Sequence, residues 1–391
     1  MVDSRNALDS HPGLDSRNWF APVPTSRRRQ FMASQRDGVF ITLNGQRLIN
    51  FSSNDYLALS THPKLCDAAK TALADGVGSG ASRLVCGDDP ALHHLEKRLA
   101  DWKGYEACLI VGSGMLANLG LIQALANRHS PVFADKLNHA SLVDGVRLST
   151  APSHRFQHLD TGQLEQLLQQ HQADKRIIVS DGVFSMDGDC ADVNALLQLA
   201  IDHNTLLLID DAHGIGTVGA DGRGLTSQAG IAGHHRLIEV GTFGKSFGSY
   251  GAFILASEPC IEALRQRQRS MIYSTALPLA IIAAADAGLD LIQHGEALSR
   301  LHANIAYFKM KISTLNFMPS HTAIQPLLLG SDDKAMAMSS ALREAGFFVP
   351  AIRPPTVAAG TARLRFTLSA AHSTAQIDLL AEKLLHCLAH A

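Results

Sequence analysis

The chain has 391 residues, 46% of them hydrophobic and 18% charged, and its formal net charge is −2 at pH 7. This length and composition predict an ordinary globular protein of two or three domains. The chain has 34 Lys and Arg and 36 Asp and Glu, so it has no excess of basic residues. Binding to nucleic acid or to an anionic membrane is therefore not expected.

The six cysteines are scattered, without a CxxC pair or zinc-ligand spacing, and predict reduced thiols in a cytoplasmic protein. The first residues carry Asp3 and Arg5 and no apolar core of a signal peptide. The longest apolar tract, at 276–292, contains Asp286 and Asp290 and is therefore predicted to be a buried helix, not a membrane span.

The predicted elements begin with an N-terminal segment at 1–50. Its polar first part has one charge cluster, SRRRQ at 26–30, which by itself is typical of a solvated face. The sequence VFITLNGQRLINF at 39–51 contains two β-like runs joined by Asn44-Gly45, the pattern of a two-residue hairpin.

A large α/β domain is predicted over 51–290. A well-marked helix starts at Pro90, after Asp88 or Asp89 as N-cap, and ends before Gly104. Short apolar runs alternate with helical stretches, and they lie at 108–111, 132–134, 177–179, 206–209, 237–240 and 252–255. This alternation predicts a mostly parallel sheet with helices on both faces and ligands at the carboxyl ends of its strands.

A smaller α+β domain is predicted over 291–391, after a long helical stretch at 276–315. Its order is β-α-β-loop-β-α, and Pro354-Pro355 interrupts regular structure in the loop.

The first chemical motif is LIVGSGMLAN at 109–118, a strand, a glycine turn and a helix start. Gly112, Gly114 and Ala117 match a dinucleotide fingerprint, and Asp135 lies at about the spacing of a ribose contact. Free N–H groups at a helix N-terminus bind any phosphate, so other phosphate ligands remain open.

The second motif, LLLIDDAHGIG at 206–216, brings Asp210, Asp211 and His213 to a strand end. A P-loop ATPase with GKS at 244–246 would need glycine at 239, where the chain has Glu239. An aspartate at a buried strand end requires a cation, and a protonated heterocyclic nitrogen is one. His213 alone is more often a structural histidine.

Two further motifs follow strands. DGVFSMDGD at 181–189 resembles a calcium loop, but the loop glycine and the bidentate glutamate are missing, so Ser185 is interpreted as a hydrogen-bond donor to the cleft. In LNHAS at 137–141, His139 either stacks on a flat ligand or is a core histidine.

EVGTFGKSFG at 239–248 places Lys245 among glycines and small hydroxyl residues. A lysine there binds phosphate, forms a Schiff base, or is simply solvated. Together with a phosphate site at Gly114, the acid and histidine at 210–213 and the stacking histidine, it matches the requirements of pyridoxal 5′-phosphate.

Eight segments carry a resemblance to the α-oxoamine synthases, a family of fold-type I pyridoxal-phosphate transferases. They are NFSSNDYLALSTHP, GSGASRLVCG, LNHASLVDG, DGVFSMDGD, DDAHGIG, TFGKSFG, IYSTALP and AIRPPTVAAGTARLRFTLSAAH. The similarity extends from about Arg27 to the last helix, and the last segment is typical of the members that use alanine. Ala81 and Ala358 depart from the family pattern, and Ala81 is expected near the cofactor.

The resemblance implies a role for each residue. Lys245 forms the Schiff base and moves a proton, Asp210 pairs with the pyridine nitrogen, His139 stacks on the ring, and His213 and Ser185 contact its phenolic oxygen or nearby atoms.

The resemblance also implies the ligands of the phosphate and of the substrates. The phosphate ligands are Gly114, Met115 and Thr242, with Ser274 and Thr275 from a partner subunit. The substrate ligands are Asn54, Arg365 and His139, with Arg27 and Thr356 at the acyl entrance. Arg28 or Arg29 replaces Arg27 if the alignment shifts.

The implied enzyme is a cytoplasmic homodimeric acyltransferase with its active site at the subunit interface. It condenses L-alanine with a pimeloyl thioester of coenzyme A or of acyl carrier protein and releases carbon dioxide, a step of biotin synthesis. Glycine-using members of the family are the alternative, and an NAD-dependent oxidoreductase is a remote one. No metal is expected.

Overall fold

The computed structural model describes residues 20–21 and 34–389, and its first elements are antiparallel strands. They are β1 (Ser34–Asp37), β2 (Phe40–Leu43) and β3 (Gln46–Asn50). Asn44 and Gly45 join β2 to β3 with φ of 50° and 79°, the left-handed conformation that a two-residue hairpin turn requires. The predicted hairpin is confirmed, whereas the SRRRQ cluster lies outside the described residues.

A seven-stranded sheet forms the centre of the molecule. Its strands are β4 (Ala107–Val111), β5 (Val132–Asp135), β6 (Ser153–Phe156), β7 (Ile177–Asp181), β8 (Leu206–Asp210), β9 (Leu237–Thr242) and β10 (Ala252–Ala256). They lie in the order β4-β10-β9-β8-β7-β5-β6, parallel except for β10, which is antiparallel to both neighbours. The predicted α/β fold with a mostly parallel central sheet is confirmed.

Helices cover both faces of this sheet. They are α1 (Pro63–Ala72), α2 (Pro90–Lys103), α3 (Gly114–Leu125), α4 (Ala140–Ser149), α5 (Thr161–Gln170), α6 (Val193–Asp202), α7 (Leu225–Gln228), α8 (Glu258–Arg267), α9 (Arg269–Ile272) and α10 (Leu279–His294). Apolar residues of α3, α4, α8 and α9 pack on one face, and those of α2, α5, α6 and α10 pack on the other. The strands are therefore buried on both sides, which explains their continuous apolar runs.

Side-chain caps fix where the helices after the strands begin. Asp89, Ser113, His139, Asp160 and Asp192 each accept a backbone N–H in the first turn of α2 to α6. Each cap satisfies a donor that the helix itself leaves unpaired. Ser113 and His139 thereby belong both to the fold and to the strand ends where ligands are expected.

The C-terminal part of the chain forms a smaller α+β unit. Its elements are α11 (Ala297–Lys311), β11 (Ile324–Gly330), α12 (Asp332–Glu344), β12 (Phe347–Phe348), β13 (Ala351–Ile352), β14 (Ala362–Thr367) and α13 (Thr374–Ala389). β11, β14 and β13 form an antiparallel sheet, and β12 pairs in parallel with β3 of the N-terminal hairpin. The domain divisions at 50 and 290 remain predictions.

The loop that follows β7 fastens this unit to the large sheet. Arg363 of β14 forms a buried ion pair with Asp187, and the carbonyl of Gly188 accepts hydrogen bonds from Ser320 and Thr322 at 2.9 and 3.0 Å. A Cβ on Gly188, whose φ is +69°, would lie 2.4 Å from the carbonyl oxygen of Ile324. The backbone here thus tolerates only glycine.

None of the helices in the described part of the chain is long and apolar enough to cross a membrane.

Candidate active site

A cavity of about 200 Å³ lies at the carboxyl ends of the strands. It is lined by residues that follow four strands and by the first residues of α3. Eight of the predicted site residues line it: Gly114, Met115, His139, Ser185, Asp210, His213, Thr242 and Lys245. They are up to 131 positions apart in sequence, and the parallel sheet brings them together, as expected for this fold class.

One end of the cavity is suited to an anion. Gly114 and Met115 form the first turn of α3, whose N-cap Ser113 accepts the N–H of Leu116 at 3.2 Å. A Cβ on Gly114 would meet no atom within 4 Å, so the backbone here is open to the cavity. Thr242 accepts the N–H of Gly244 at 3.1 Å and donates to the carbonyl of Gly251 at 2.9 Å. A helix N-terminus beside a hydroxyl favours phosphate.

The other end of the cavity holds the carboxylate of Asp210, which is only 9% exposed. Asn118, fully buried in α3, donates from Nδ2 to Asp210 Oδ2 at 2.6 Å and to Ser141 Oγ at 2.9 Å. The N–H of Ala212 donates to Asp210 Oδ1 at 3.0 Å. These donors fix the carboxylate in one orientation, and a cationic ring nitrogen would complete its surroundings.

The amine of Lys245 lines the cavity and has no hydrogen-bond partner among the described residues. Burial lowers its pKa to about 8, and the nearby Arg365 acts in the same direction, while Asp210 and Asp181 oppose the shift. A lysine with a lowered pKa is partly neutral at physiological pH and can attack a carbonyl or accept a proton. The solvated-lysine interpretation of Lys245 does not agree with this burial.

His139 is held in place by the element that it caps. Its Nδ1 lies 2.7 Å from Ser141 Oγ, and its backbone N–H donates to Asp181 Oδ2 at 3.1 Å. His139 lines the cavity and is partly accessible there, and desolvation, with the nearby Lys245, lowers its pKa. The core-histidine alternative is therefore not supported, since a flat ligand can stack on this ring.

His213 is joined to a residue that sequence reasoning did not single out. The hydroxyl of Tyr56, a fully buried residue, lies 2.7 Å from His213 Nδ1. Burial, with the neighbouring cations Lys245 and Arg365, holds the pKa of His213 well below its usual range. His213 is thus a neutral imidazole in the cavity wall.

A buried guanidinium lies beside the cavity. Arg365 is 6% exposed, and it donates from Nε to the carbonyl of Ser185 at 2.5 Å and from Nη2 to Asn54 Oδ1 at 3.1 Å. Across residues 34–389 it has no carboxylate partner. Asn54 and Lys245 both line a neighbouring cavity of about 620 Å³, which opens on the other side of the lysine.

Four predicted residues lie elsewhere or outside the described residues. Ser274 and Thr275 line a separate small cavity with Arg83, so they do not reach the Lys245 cavity of their own subunit. Thr356 lies on the exposed loop between β13 and β14, and Arg27 is outside the described residues. Ala81, expected near the cofactor, instead accepts the N–H of Ala276 beside Thr275 at 2.9 Å.

The acids of the rejected motifs have other partners. Asp135, the candidate ribose ligand, is 1% exposed, accepts the N–H groups of Leu137 and Leu159, and pairs with His158 at 3.0 Å. Glu239 forms a fully buried ion pair with Lys103 at 2.7 Å. Neither carboxylate is available to a nucleotide, which removes the structural basis for the oxidoreductase alternative.

Sequence comparisons agree with the site. The family model described as aminotransferase class I and II matches residues 46–384. The 8-amino-7-oxononanoate synthase of Methylococcus capsulatus is 45% identical over 388 residues, with 98% of this chain and 97% of the relative covered. That of Methylobacillus flagellatus is 46% identical, with 100% of both chains covered. The chain belongs to the 8-amino-7-oxononanoate synthase family.

The fold of the chain is similar to those of two solved structures. A serine palmitoyltransferase from S. paucimobilis, with pyridoxal phosphate and myriocin bound, matches with a TM-score of 0.88, 28% identity and 92% of each chain covered. The 8-amino-7-oxononanoate synthase of Francisella tularensis matches with a TM-score of 0.77, 30% identity and coverage of 88% of this chain and 98% of that chain.

The enzyme is a pyridoxal-phosphate-dependent acyltransferase, and the residues present fit that cofactor. The amine, the fixed carboxylate and the helix N-terminus line one cavity, and the buried Oδ1 of Asp181 at its wall has no hydrogen-bond partner among the described residues. Lys245 would hold the cofactor covalently, Asp210 would face its ring nitrogen, and the first turn of α3 with Thr242 would hold its phosphate.

Proposed function

We propose that the enzyme condenses L-alanine with a pimeloyl thioester to give 8-amino-7-oxononanoate, carbon dioxide and the free acyl carrier, a step of biotin synthesis. The family supports the product, since relatives at 45–46% identity over nearly the whole chain carry that name. The proposal adds both substrates and a role for each residue of the site.

The buried cation Arg365, which has no carboxylate partner within residues 34–389, is the observation that supports an amino-acid substrate. A buried guanidinium without a counter-ion is unfavourable, because its charge has left water without compensation. Its Nε and Nη2 are engaged by Ser185 and Asn54, so the guanidinium is held in one orientation next to Ser185, which lines the Lys245 cavity. A carboxylate bound there would lie beside the cavity of Lys245, as the α-carboxylate of alanine requires.

The chemistry divides between the cofactor and the chain. Pyridoxal phosphate supplies an electron sink for negative charge at the carbon next to the amino nitrogen. Lys245 accepts and returns the proton of that carbon through Nζ, for which a pKa near 8 is suitable. Asp210 stabilises the cationic ring nitrogen, and Arg365 with Asn54 orients the carboxylate that is lost as carbon dioxide.

The cavity on the other side of Lys245 is the proposed path of the acyl chain. Asn54, Tyr250 and Phe348 are among its lining residues, and Arg36 adds a cation at its wall. The family resemblance implies that Arg27 and Thr356 contribute to the acyl entrance, and basic residues there would favour the anionic carrier, coenzyme A or acyl carrier protein.

The amino acid is the part of this proposal that most needs a direct test. The serine palmitoyltransferase fold matches with the higher TM-score, whereas the higher sequence identity belongs to the 8-amino-7-oxononanoate synthases. Backbone similarity alone therefore does not select among alanine, glycine and serine as the substrate.

The deciding experiment is an assay of the purified enzyme with each amino acid and each pimeloyl carrier, following carbon dioxide and product by mass spectrometry. We expect alanine to have the highest kcat/KM of the amino acids. Lys245→Ala should show no turnover, and borohydride reduction should fix no cofactor to it covalently. A preference for glycine or serine, or turnover by Lys245→Ala, would overturn the proposal. Arg98→Lys, which changes a cation paired with Asp286 and Asp290 outside the cavities described, is the control.

A further inference from the structure

Tyr56 lies between the cofactor cavity and the proposed ligands of the substrate carboxylate, and no part of the proposed reaction uses it. Its side chain is fully buried, and its hydroxyl contacts His213 Nδ1 at 2.7 Å, Asn54 Oδ1 at 3.3 Å and Arg365 Nη2 at 3.5 Å. The residue therefore touches the histidine of the cofactor cavity and both proposed ligands of the substrate carboxylate.

We propose that Tyr56 is a positioning residue whose hydroxyl donates to Nδ1 of His213 and thereby directs the Nε2 proton of that histidine into the cofactor cavity. The inference rests on the proposed function only for the presence of the cofactor in this cavity. It does not depend on which amino acid or acyl carrier is used.

The contacts of the Tyr56 hydroxyl show which way its hydrogen bond with His213 runs. A phenol has one proton to give, and its two acceptors are His213 Nδ1 at 2.7 Å and Asn54 Oδ1 at 3.3 Å. Asn54 Oδ1 already accepts from Arg365 at 3.1 Å, whereas Nδ1 has no other donor in the described part of the chain. The shorter contact to the unoccupied acceptor takes the proton.

The charges around the pair keep both partners neutral. Arg365, Lys245 and His139 face His213 and, together with burial, hold its pKa well below the ordinary value. Burial also raises the pKa of Tyr56, although Arg365 opposes that shift. Neither an imidazolium nor a phenolate forms near neutral pH, so a single proton lies between the two rings.

The tautomer of His213 decides what the cavity offers to a ligand. With Nδ1 occupied as an acceptor, Nε2 carries the proton and would be available to donate to an anionic oxygen of the bound cofactor. Without the Tyr56 hydroxyl, the opposite tautomer is also populated, and its Nε2 lone pair faces the same oxygen. The oxyanion is then less stabilised, and its affinity for a proton rises.

The test is a pH titration of the visible absorption of the cofactor-loaded enzyme, without any amino acid. For Tyr56→Phe, which removes only the hydroxyl, we expect the apparent pKa of the absorption change to rise by about one unit, a tenfold increase in proton affinity. Tyr105→Phe is the matched control, because Tyr105 is also buried but bonds Glu239, which does not line the cofactor cavity. It should leave the pKa unchanged.

A second variant separates positioning from a merely structural effect. If Tyr56 acts through His213, adding Tyr56→Phe to a His213→Asn enzyme should shift the pKa no further, the signature of full coupling in a double-mutant cycle. A full shift in that background, or a wild-type pKa in Tyr56→Phe alone, would overturn the proposal. Failure of the proposed function looks different, because the wild-type enzyme would then show no alanine-dependent spectral change.

The wild-type enzyme provides a test that does not depend on the variant retaining its cofactor. In ¹⁵N spectra of imidazole-labelled holoenzyme, the signals of His213 are identified by their loss in His213→Asn. We expect Nδ1 to be unprotonated and Nε2 protonated across pH 6–9. A protonated Nδ1 would reverse the direction of the hydrogen bond and overturn the assignment.

Discussion

Arg365 has contacts that suit its proposed role as a carboxylate ligand. Two of its donors are used by the protein, and these contacts leave a planar fork in a fixed direction. Its neighbour on the same face of β14, Arg363, is instead neutralised by Asp187. Two arginines of one strand thus have different tasks, and the difference depends only on whether a carboxylate is present nearby.

For Arg365→Lys we expect KM for alanine to rise about 10- to 100-fold, because a lysine keeps the charge but loses the paired donors, a loss of about 1.5–3 kcal/mol. The visible spectrum of the bound cofactor should change little, since Arg365 is not among the residues that line the cofactor cavity. Steady-state kinetics with alanine and a spectrum of the resting enzyme measure both effects. An unchanged KM would show that the carboxylate binds elsewhere.

Sequence reasoning found the residues that follow strands and missed those that support them. Asp210, His213 and Lys245 are recognisable because each follows an apolar run and has an evident chemical use. Asn118 and Tyr56 act through contacts with Asp210 and His213 that are 92 and 157 positions distant. No periodicity indicates such pairs, although Tyr56 lies within a segment that carries the family resemblance.

At the scale of elements, the strands with apolar runs were predictable and the polar one was not. Six central strands coincide with predicted runs, because burial on both faces requires continuous apolar sequence. β6, with the sequence SHRF, was missed because it is an edge strand that pairs only with β5. The pairing of the N-terminal hairpin with β12 was missed for another reason: a hairpin pattern does not specify its outer neighbour.

His372 links the C-terminal unit to the N-terminal hairpin and makes the contact between them sensitive to pH. Its Nδ1 accepts the N–H of Ser369 at 3.0 Å, its Nε2 donates to the carbonyl of Asn50 at 3.1 Å, and its ring stacks on Phe51 at 3.9 Å. Burial lowers its pKa from 6.5 to about 4. Protonation would place a hydrogen on Nδ1 against the Ser369 N–H, so the folded state resists it.

Because the folded pKa lies below the unfolded one, this stabilisation is complete above about pH 6.5 and is lost as the pH falls toward 4. We expect His372 alone to remove about 2 kcal/mol of stability between pH 7 and pH 5. Thermal unfolding midpoints at pH 7, 6 and 5 measure the effect. His372→Asn should be less stable at pH 7 but less sensitive to acid, whereas His294→Asn, at an exposed position, should behave like the wild type. Equal pH sensitivity of His372→Asn and the wild type would contradict this account.

At the scale of the whole molecule, one chain does not place all the proposed phosphate ligands in one cavity. Ser274 and Thr275 lie with Arg83 in a separate small cavity, and several large apolar side chains of the surrounding segments are exposed. Tyr273 is 72% exposed, and Val85 and Leu84, in the segment that contacts α9, are 77% and 59% exposed. A second copy of the chain on this surface would bury those side chains and bring Ser274 and Thr275 to the other subunit's site.

This arrangement predicts that two inactive enzymes restore each other. Lys245→Ala lacks the amine, and a Ser274→Ala, Thr275→Ala double variant lacks the hydroxyls donated across the interface. In a mixed dimer, one of the two sites then carries both defects and the other carries none. After denaturation and refolding of an equal mixture, half of the dimers should be mixed, and the activity should reach about a quarter of the wild-type value. If instead each subunit builds its site from its own residues, every site in the mixture stays defective and no activity returns. Sedimentation of the mixture, which should show dimers in both cases, separates a failure of the shared site from a failure to associate.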